Sequence, residues 1–201
     1  LIAACSGKLI YKFSGFSTTV IESIIPPTVE SSSNGVTKDL NYLYSRETGI
    51  SHQIYKHSGF STTVLDSFSG SNTRVVRGLA INGALFCAPD RGRIYHYSGF
   101  SSTVLNSFSS PSINLKDVTL DYYNLYSTDN VSDKIYKHSG FSSTLKDYLK
   151  PPANYTTALT TNKNNFYSSD AVTRYAYKHA GFSTTILDSF YFNPSIYIYL
   201  G

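Results

Sequence analysis

The chain has no Trp, no Met and only two Cys in 201 residues. Charged residues are scarce at 15%, and long apolar runs are missing. Each shortage narrows the field. No stretch approaches the roughly 18 apolar residues of a membrane span, so no membrane insertion is expected. Cys5 and Cys87 are too few to build a metal site by themselves. The 17 Lys and Arg outnumber the 13 Asp and Glu, for a net charge of +4, but they are scattered along the chain. Nucleic-acid binders gather such charge into a stripe, so no nucleic acid partner is expected. HExxH, GxSxG and phosphate-binding glycine loops are absent. The expectation is a protein that is not an enzyme, with no catalytic residue, no metal and no cofactor.

Tyr (18) and Phe (12) are abundant, and hydrophobic residues reach 41%, enough for a real core. Ser, Thr and Asn dominate the polar remainder. A polar surface with little charge points to an extracellular, cell-surface or virion setting. The lack of an initiator Met suggests a processed chain or a fragment. Ile2-Ala3-Ala4-Cys5 looks like a bacterial lipobox, but the repeat described next needs the same residues as a strand.

One motif recurs five times, over Tyr11–Ile24, Tyr55–Phe68, Tyr95–Phe108, Tyr136–Leu149 and Tyr177–Phe190. Its glycines, Gly15, Gly59, Gly99, Gly140 and Gly181, are spaced by 44, 40, 41 and 41 residues. A period near 40 filled with strand-type residues is the signature of a β-propeller with one blade per repeat. In the fourth repeat Asp117–Asp121 reads as the inner strand and Asn124–Asp129 as the second. Lys134–His138 reads as the third and Thr144–Leu149 as the outer strand. Pro151-Pro152 then breaks the ladder.

The ends complete one another. Leu1–Ala4 reads as a second strand without an inner one, and Ser195–Leu200 as an inner strand without its blade. Pairing them gives an all-β, five-bladed propeller of four antiparallel strands per blade, closed by the two termini. Closure removes the sheet edges that a linear array would leave open. The expected single domain spans 1–201, with blades at 195–201 plus 1–25, 35–68, 75–108, 116–149 and 155–190. Cys5 and Cys87 then fall in blades separated by a whole blade, too far apart for a disulfide, and are expected as free, buried thiols.

The pattern in Leu125-Tyr126-Ser127-Thr128-Asp129 with Lys134-Ile135-Tyr136-Lys137 resembles the blade core of NHL-type and YWTD-type propellers. The five-bladed architecture is similar to that of tachylectin-type lectin propellers. The resemblance implies the fold, and no sugar-site motif is carried over with it.

The hairpin Tyr-Lys-His-Ser-Gly-Phe-Ser-Thr-Thr barely changes between repeats, while the inner strands differ widely. One reading is structural: Ser-Gly forms the turn, and Phe16, Phe60, Phe100, Phe141 and Phe182 tuck between blades. The other is a ring of equivalent ligand sites. It would use Tyr11 and Lys12; Tyr55, Lys56 and His57; Tyr95 and His96; Tyr136, Lys137 and His138; and Tyr177, Lys178 and His179. Aromatic rings stack on sugar faces, and Lys and His supply hydrogen bonds. Repeated weak sites gain strength through multivalency. The outer-strand acids Glu22, Asp66, Asp147 and Asp188 are spread around the ring and form no catalytic pair. The inner acids Asp39, Asp117 and Asp121 suggest no triad. Two sequons, at Asn130 and Asn154, fall near expected loops. The expected function is lectin-like glycan recognition; the alternative is a structural or protein-docking subunit of a cell-surface or virion assembly. The partner is accordingly a glycan or a protein, with a larger assembly possible in the second case.

Overall fold

The computed structural model describes residues 1–5, 9–27, 33–47, 52–70, 76–89, 92–162, 164–192 and 198–200. Every described element is a strand, and the strands form five four-stranded antiparallel sheets. Blade 1 holds β1 (Ile2–Cys5), β2 (Ile10–Phe13) and β3 (Val20–Ile24), with β20 (Ile198–Leu200) as its inner strand. Blade 2 runs β4 (Ser33–Lys38), β5 (Tyr42–Glu47), β6 (Gln53–Ser58) and β7 (Val64–Ser69). Blade 3 runs β8 (Val76–Ile81), β9 (Leu85–Pro89), β10 (Arg93–Tyr97) and β11 (Val104–Ser109). Blade 4 runs β12 (Leu115–Leu120), β13 (Asn124–Asp129), β14 (Lys134–Ser139) and β15 (Leu145–Leu149). Blade 5 runs β16 (Thr156–Thr161), β17 (Asn165–Asp170), β18 (Tyr175–Ala180) and β19 (Ile186–Tyr191).

The inner strands touch in sequence around the axis: β20 on β4, β4 on β8, β8 on β12, β12 on β16 and β16 on β20. The ring is therefore closed, and the termini close it. Ala3 pairs with Leu200, Ala4 with Tyr199 and Cys5 with Ile198. Residues 195–197 of the expected closing strand lie outside the described residues. Because Ile2–Cys5 is paired on both sides, it serves as a strand of blade 1. Cys5 and Cys87 sit in blades 1 and 3, and Cys87 is a free, fully buried thiol.

The blades twist for a visible reason. An extra residue bulges each inner strand of blades 2 to 5, at Ser33/Gly35, Val76/Gly78, Leu115/Asp117 and Thr156/Ala158. A second bulge sits in every outer hairpin, as at Lys137/His138. Bulges increase the right-handed twist of a strand pair, which lets five short sheets pack face to face around an axis.

The core lies between blades. Ile2, Ile10 and Ile24 of blade 1 pack on Val36 and Leu43 of blade 2, with Phe60 closing the cluster. The same arrangement joins blades 3 and 4, with Phe141 against Phe86 and Phe108. A buried carboxylate adds a polar clasp near the axis. Asp117 accepts from the Val118 N–H at 2.8 Å and, across the blade boundary, from the Leu159 N–H at 2.7 Å. Burial drives its carboxyl far above the usual range against these two donors. Gly78 of blade 3 leaves the space it occupies: a Cβ there would stand 2.4 Å from Asp117 Oδ1.

Candidate functional site

The near-constant hairpin has a structural cause in every repeat. Its glycine takes a left-handed φ between 59° and 63° in all five turns, where a side chain is strained. The serine two residues on donates to the carbonyl of the residue before the glycine and accepts from the backbone two residues further on. In blade 4 these bonds are Ser142 Oγ to Ser139 O at 2.8 Å and Thr144 N to Ser142 Oγ at 3.2 Å. Blades 1, 2, 3 and 5 repeat both bonds within 0.1 Å. The phenylalanine plugs the gap to the preceding blade. Phe100 lies 5.6 Å from Tyr44, Phe182 5.1 Å from Tyr126 and Phe16 5.4 Å from Tyr167.

The Tyr-Lys-His triplet does not act as one unit. Successive strand residues face opposite sides of a sheet, so Lys faces the next blade while Tyr and His face the previous one. His138 lies 5.2 Å from Phe108 of blade 3, whereas Lys137 Nζ lies 5.5 Å from Phe182 of blade 5. The tyrosines leave the site with the histidines. Tyr55 donates to Glu47 at 3.2 Å, and burial with that carboxylate pushes its phenol up to about 12. Tyr136 and Tyr177 meet Ser132 and Thr173, and Tyr11 and Tyr95 pack on Phe13 and Tyr97.

His57, His138 and His179 are fully buried, which corrects their assignment as ligand-binding groups. Each is pinned to a serine of the neighbouring strand: Ser45 Oγ to His57 Nε2 at 2.7 Å, and Ser127 to His138 and Ser168 to His179 both at 2.9 Å. His179 Nδ1 donates to the Ser183 carbonyl at 2.9 Å, so its Nε2 accepts from the serine hydroxyl. The Ser61 and Ser142 backbones lie near His57 and His138 and favour the charged imidazoles, but neither Nδ1 completes a hydrogen bond. Desolvation lowers all three imidazoles, His138 to about 4, against the opposing pull of these backbone groups. A serine hydroxyl donating to imidazole is the opening arrangement of acyl-transfer catalysis. Here both partners are sealed from solvent, so no substrate reaches them. The blades without the histidine lack the serine as well: blade 1 has Ala3 and Phe13, and blade 3 has Cys87 and Tyr97.

The cations remain half-buried on the other side. Lys12 reaches Glu22 at 3.5 Å and lies 5.7 Å from the Phe60 ring. Lys56 stands 3.9 Å over Tyr42. Lys137 is held by Phe182 and, at 5.9 Å, by Tyr126. His96 takes the Lys position in blade 3 and stacks on Phe86 at 4.6 Å. Lys178 pairs in register with Asp188.

The inner hairpin tips share the face of the disc that carries the Ser-Gly-Phe turns. Gly59 N–H donates to Asn41 O at 3.2 Å and Gly140 N–H to Tyr123 O at 3.1 Å. In three blades an Asp or Asn begins the tip and folds it rigidly. Asp121 accepts from the Tyr123 and Asn124 N–H groups at 2.7 and 2.6 Å and from Tyr126 Oη at 2.6 Å. Asp39 repeats this with Asn41, Tyr42 and Tyr44; Asn162 accepts from the Asn164 and Asn165 N–H groups through Oδ1 and donates from Nδ2 to Tyr167 Oη. Desolvation opposes ionisation of Asp39 and Asp121, but the tyrosine and backbone bonds outweigh it and hold both below the usual carboxyl range. Burial, then the same bonds, raises Tyr44 and Tyr126. Between blades 4 and 5 these parts enclose a cavity of about 670 Å³, within the range of small-ligand sites. Its lining includes Asp121, Tyr122, Tyr126, Lys137, Asn165 and Phe182. The tips were missed because their residues vary from blade to blade; the signal was the Asp or Asn three residues before the second strand in blades 2, 4 and 5.

No protein family and no curated protein matches the sequence. Solved structures do. A glutaminyl cyclase from Myxococcus xanthus is 13% identical, with a TM-score of 0.63 over 78% of this chain and 69% of that one. The WD40 β-propeller domain of Doa1 is 9% identical, with a TM-score of 0.63 over 97% of this chain and 65% of that one. The computationally designed Ika8 protein is 12% identical, with a TM-score of 0.56 over 100% of this chain and 61% of that one. The chain is thus similar in fold to an enzyme, a WD40 domain and a designed protein alike, which fixes the β-propeller architecture and leaves function to the site.

Proposed function

We propose that the chain is a non-enzymatic, extracellular binding module that recognises glycans in the grooves between its blades. One observation carries the reading. On a single face, a Lys or His from one blade lies over aromatic rings at the boundary with the next, beside rigid Asp- or Asn-headed tips. Rings that stack on a sugar face and polar groups that meet its hydroxyls are thereby placed together. Against catalysis, Asp117 is sealed in the core, and Asp39 and Asp121 are engaged in separate tips. A glycan array probed with the purified chain tests the proposal. Discrete hits on sugars are expected, and a blank array refutes it.

A second reading, a protein-docking or structural subunit of a cell-surface or virion assembly, has its own support. The outer strands expose Ile21, Leu65, Leu105 and Leu187 at equivalent positions, each more than half accessible. A blank array with saturable cell-surface binding that survives glycan-stripping enzymes would favour it.

A further inference from the structure

The grooves are built from repeats, but their lips are not alike. Blade 2 presents Leu40 at its tip, and blade 3 has the short turn Asn82-Gly83-Ala84. Blade 4 alone presents two tyrosines. Tyr122 and Tyr123 are 76% and 81% exposed, with ring centres 6.4 Å apart. So much exposed aromatic surface side by side is uncommon without a use. The backbone beneath them is fixed by Asp121, so the rings stand on a rigid turn and lose less freedom when a ligand arrives. They line the same cavity as Lys137, Phe182 and the tip of blade 5.

The polar lining has a definite character. The side chains of Asn82, Asn164 and Asn165 make no hydrogen bond to other described residues, and each amide both donates and accepts. A sugar hydroxyl does the same. Asp121, fully occupied by its own tip, stands in the lining with Lys137, and among the described residues no Arg lines the cavity. The described lining therefore carries one charge of each sign and offers no forked donor for a carboxylate or sulfate.

Resting on the glycan reading above, we infer that the groove between blades 4 and 5 is the dominant site of the ring and takes a neutral oligosaccharide, with Tyr122 and Tyr123 setting its specificity. The lining reaches from Asn82 of blade 3 to Phe182 of blade 5, which suits a chain of sugar rings better than a single one.

The test is calorimetric titration with neutral di- to tetrasaccharides (cello-, xylo-, manno- and chito-series) and with acidic ones (oligogalacturonates and sialyllactose). The expected result is one dominant site per chain for a neutral oligosaccharide, with affinity unchanged by added salt. Y122A/Y123A should weaken it about tenfold or more, as loss of a central aromatic anchor does. L40A, at the equivalent tip of blade 2, should leave it unchanged. Both tyrosines are exposed, so the double variant should fold, and an unaltered melting curve checks this. If sugars bind but the double variant matches the wild type, or L40A loses as much, or five equal sites appear, or only acidic sugars bind, the inference is overturned while the glycan reading stands. If no sugar of either class binds, both fall.

Discussion

Lowering the pH from 7 to 4 should unfasten the ring from inside, through the serine–histidine pins. The folded His138 titrates near 4, below its ordinary value of 6.5. Between those values the unfolded chain holds a proton that the folded chain refuses, so stability falls as pH falls. The gap from 6.5 to about 4 amounts to about 3 kcal/mol at about 1.4 kcal/mol per pH unit. His57 and His179 shift in the same direction and add to it. Asp117 opposes them: its folded value is raised, so the folded chain takes its proton first and gains stability on acidification. Subtraction isolates the histidine. S127A/H138F copies the Ala3 and Phe13 pair of blade 1 into blade 4. Urea unfolding at pH 7, 5.5 and 4 should show a slope shallower than wild type by about 3 kcal/mol over the range. At pH 7 S127A alone should cost about 1–3 kcal/mol, because a buried acceptor loses its donor, and the double variant should recover most of that. Equal slopes for wild type and double variant, or no recovery, would refute the reasoning.

Gly78→Ala should destabilise the chain by about 1–3 kcal/mol or more, since the new methyl meets backbone and the Asp117 carboxylate with no flexible group to yield; thermal melts measure it, and a neutral result would contradict the tight approach of blades 3 and 4. Cys87 should resist thiol reagents until the chain unfolds, because burial raises its thiol far above the ordinary value; rapid labelling of the native protein at this position, read by peptide mapping, would count against it. Removing residues 198–201 should strip blade 1 of its inner strand, giving a lower urea midpoint and a larger hydrodynamic radius; unchanged values would mean that the ring does not depend on this seam.

The architecture was legible because a propeller repeats its hydrophobic pattern once per blade. The spacing of Gly15, Gly59, Gly99, Gly140 and Gly181 already marks the blades. The termini showed the missing halves of one sheet, and the pairing of Ala3 with Leu200 joins them. The site was less legible, for two physical reasons. Near-identity of the hairpins looked like a ligand signature, but turn geometry and the phenylalanine plug account for it. Tyr55, Lys56 and His57 are neighbours in sequence, yet strand alternation sends them to different blade boundaries. The Ser45–His57 pin is the converse case: it spans two strands, and only the absence of both partners from blades 1 and 3 betrays it in the sequence.

A ring seamed in blade 1 also dictates an order of events at the ribosome. Strands β1 to β3 emerge before blades 2 to 5, and their innermost neighbour, β20, emerges after them. Blades 2 to 5 can each pair locally as they appear, through hairpins of short reach. The Ile2–Cys5 edge must wait with its hydrogen-bonding groups open while blades 2 to 5 are made. The slowest contact to form is thus the one on which closure depends, because it joins strands separated in sequence by all of blades 2 to 5. During that wait the open edge is a template for any other unpaired strand, and a polysome crowded with half-made copies supplies many.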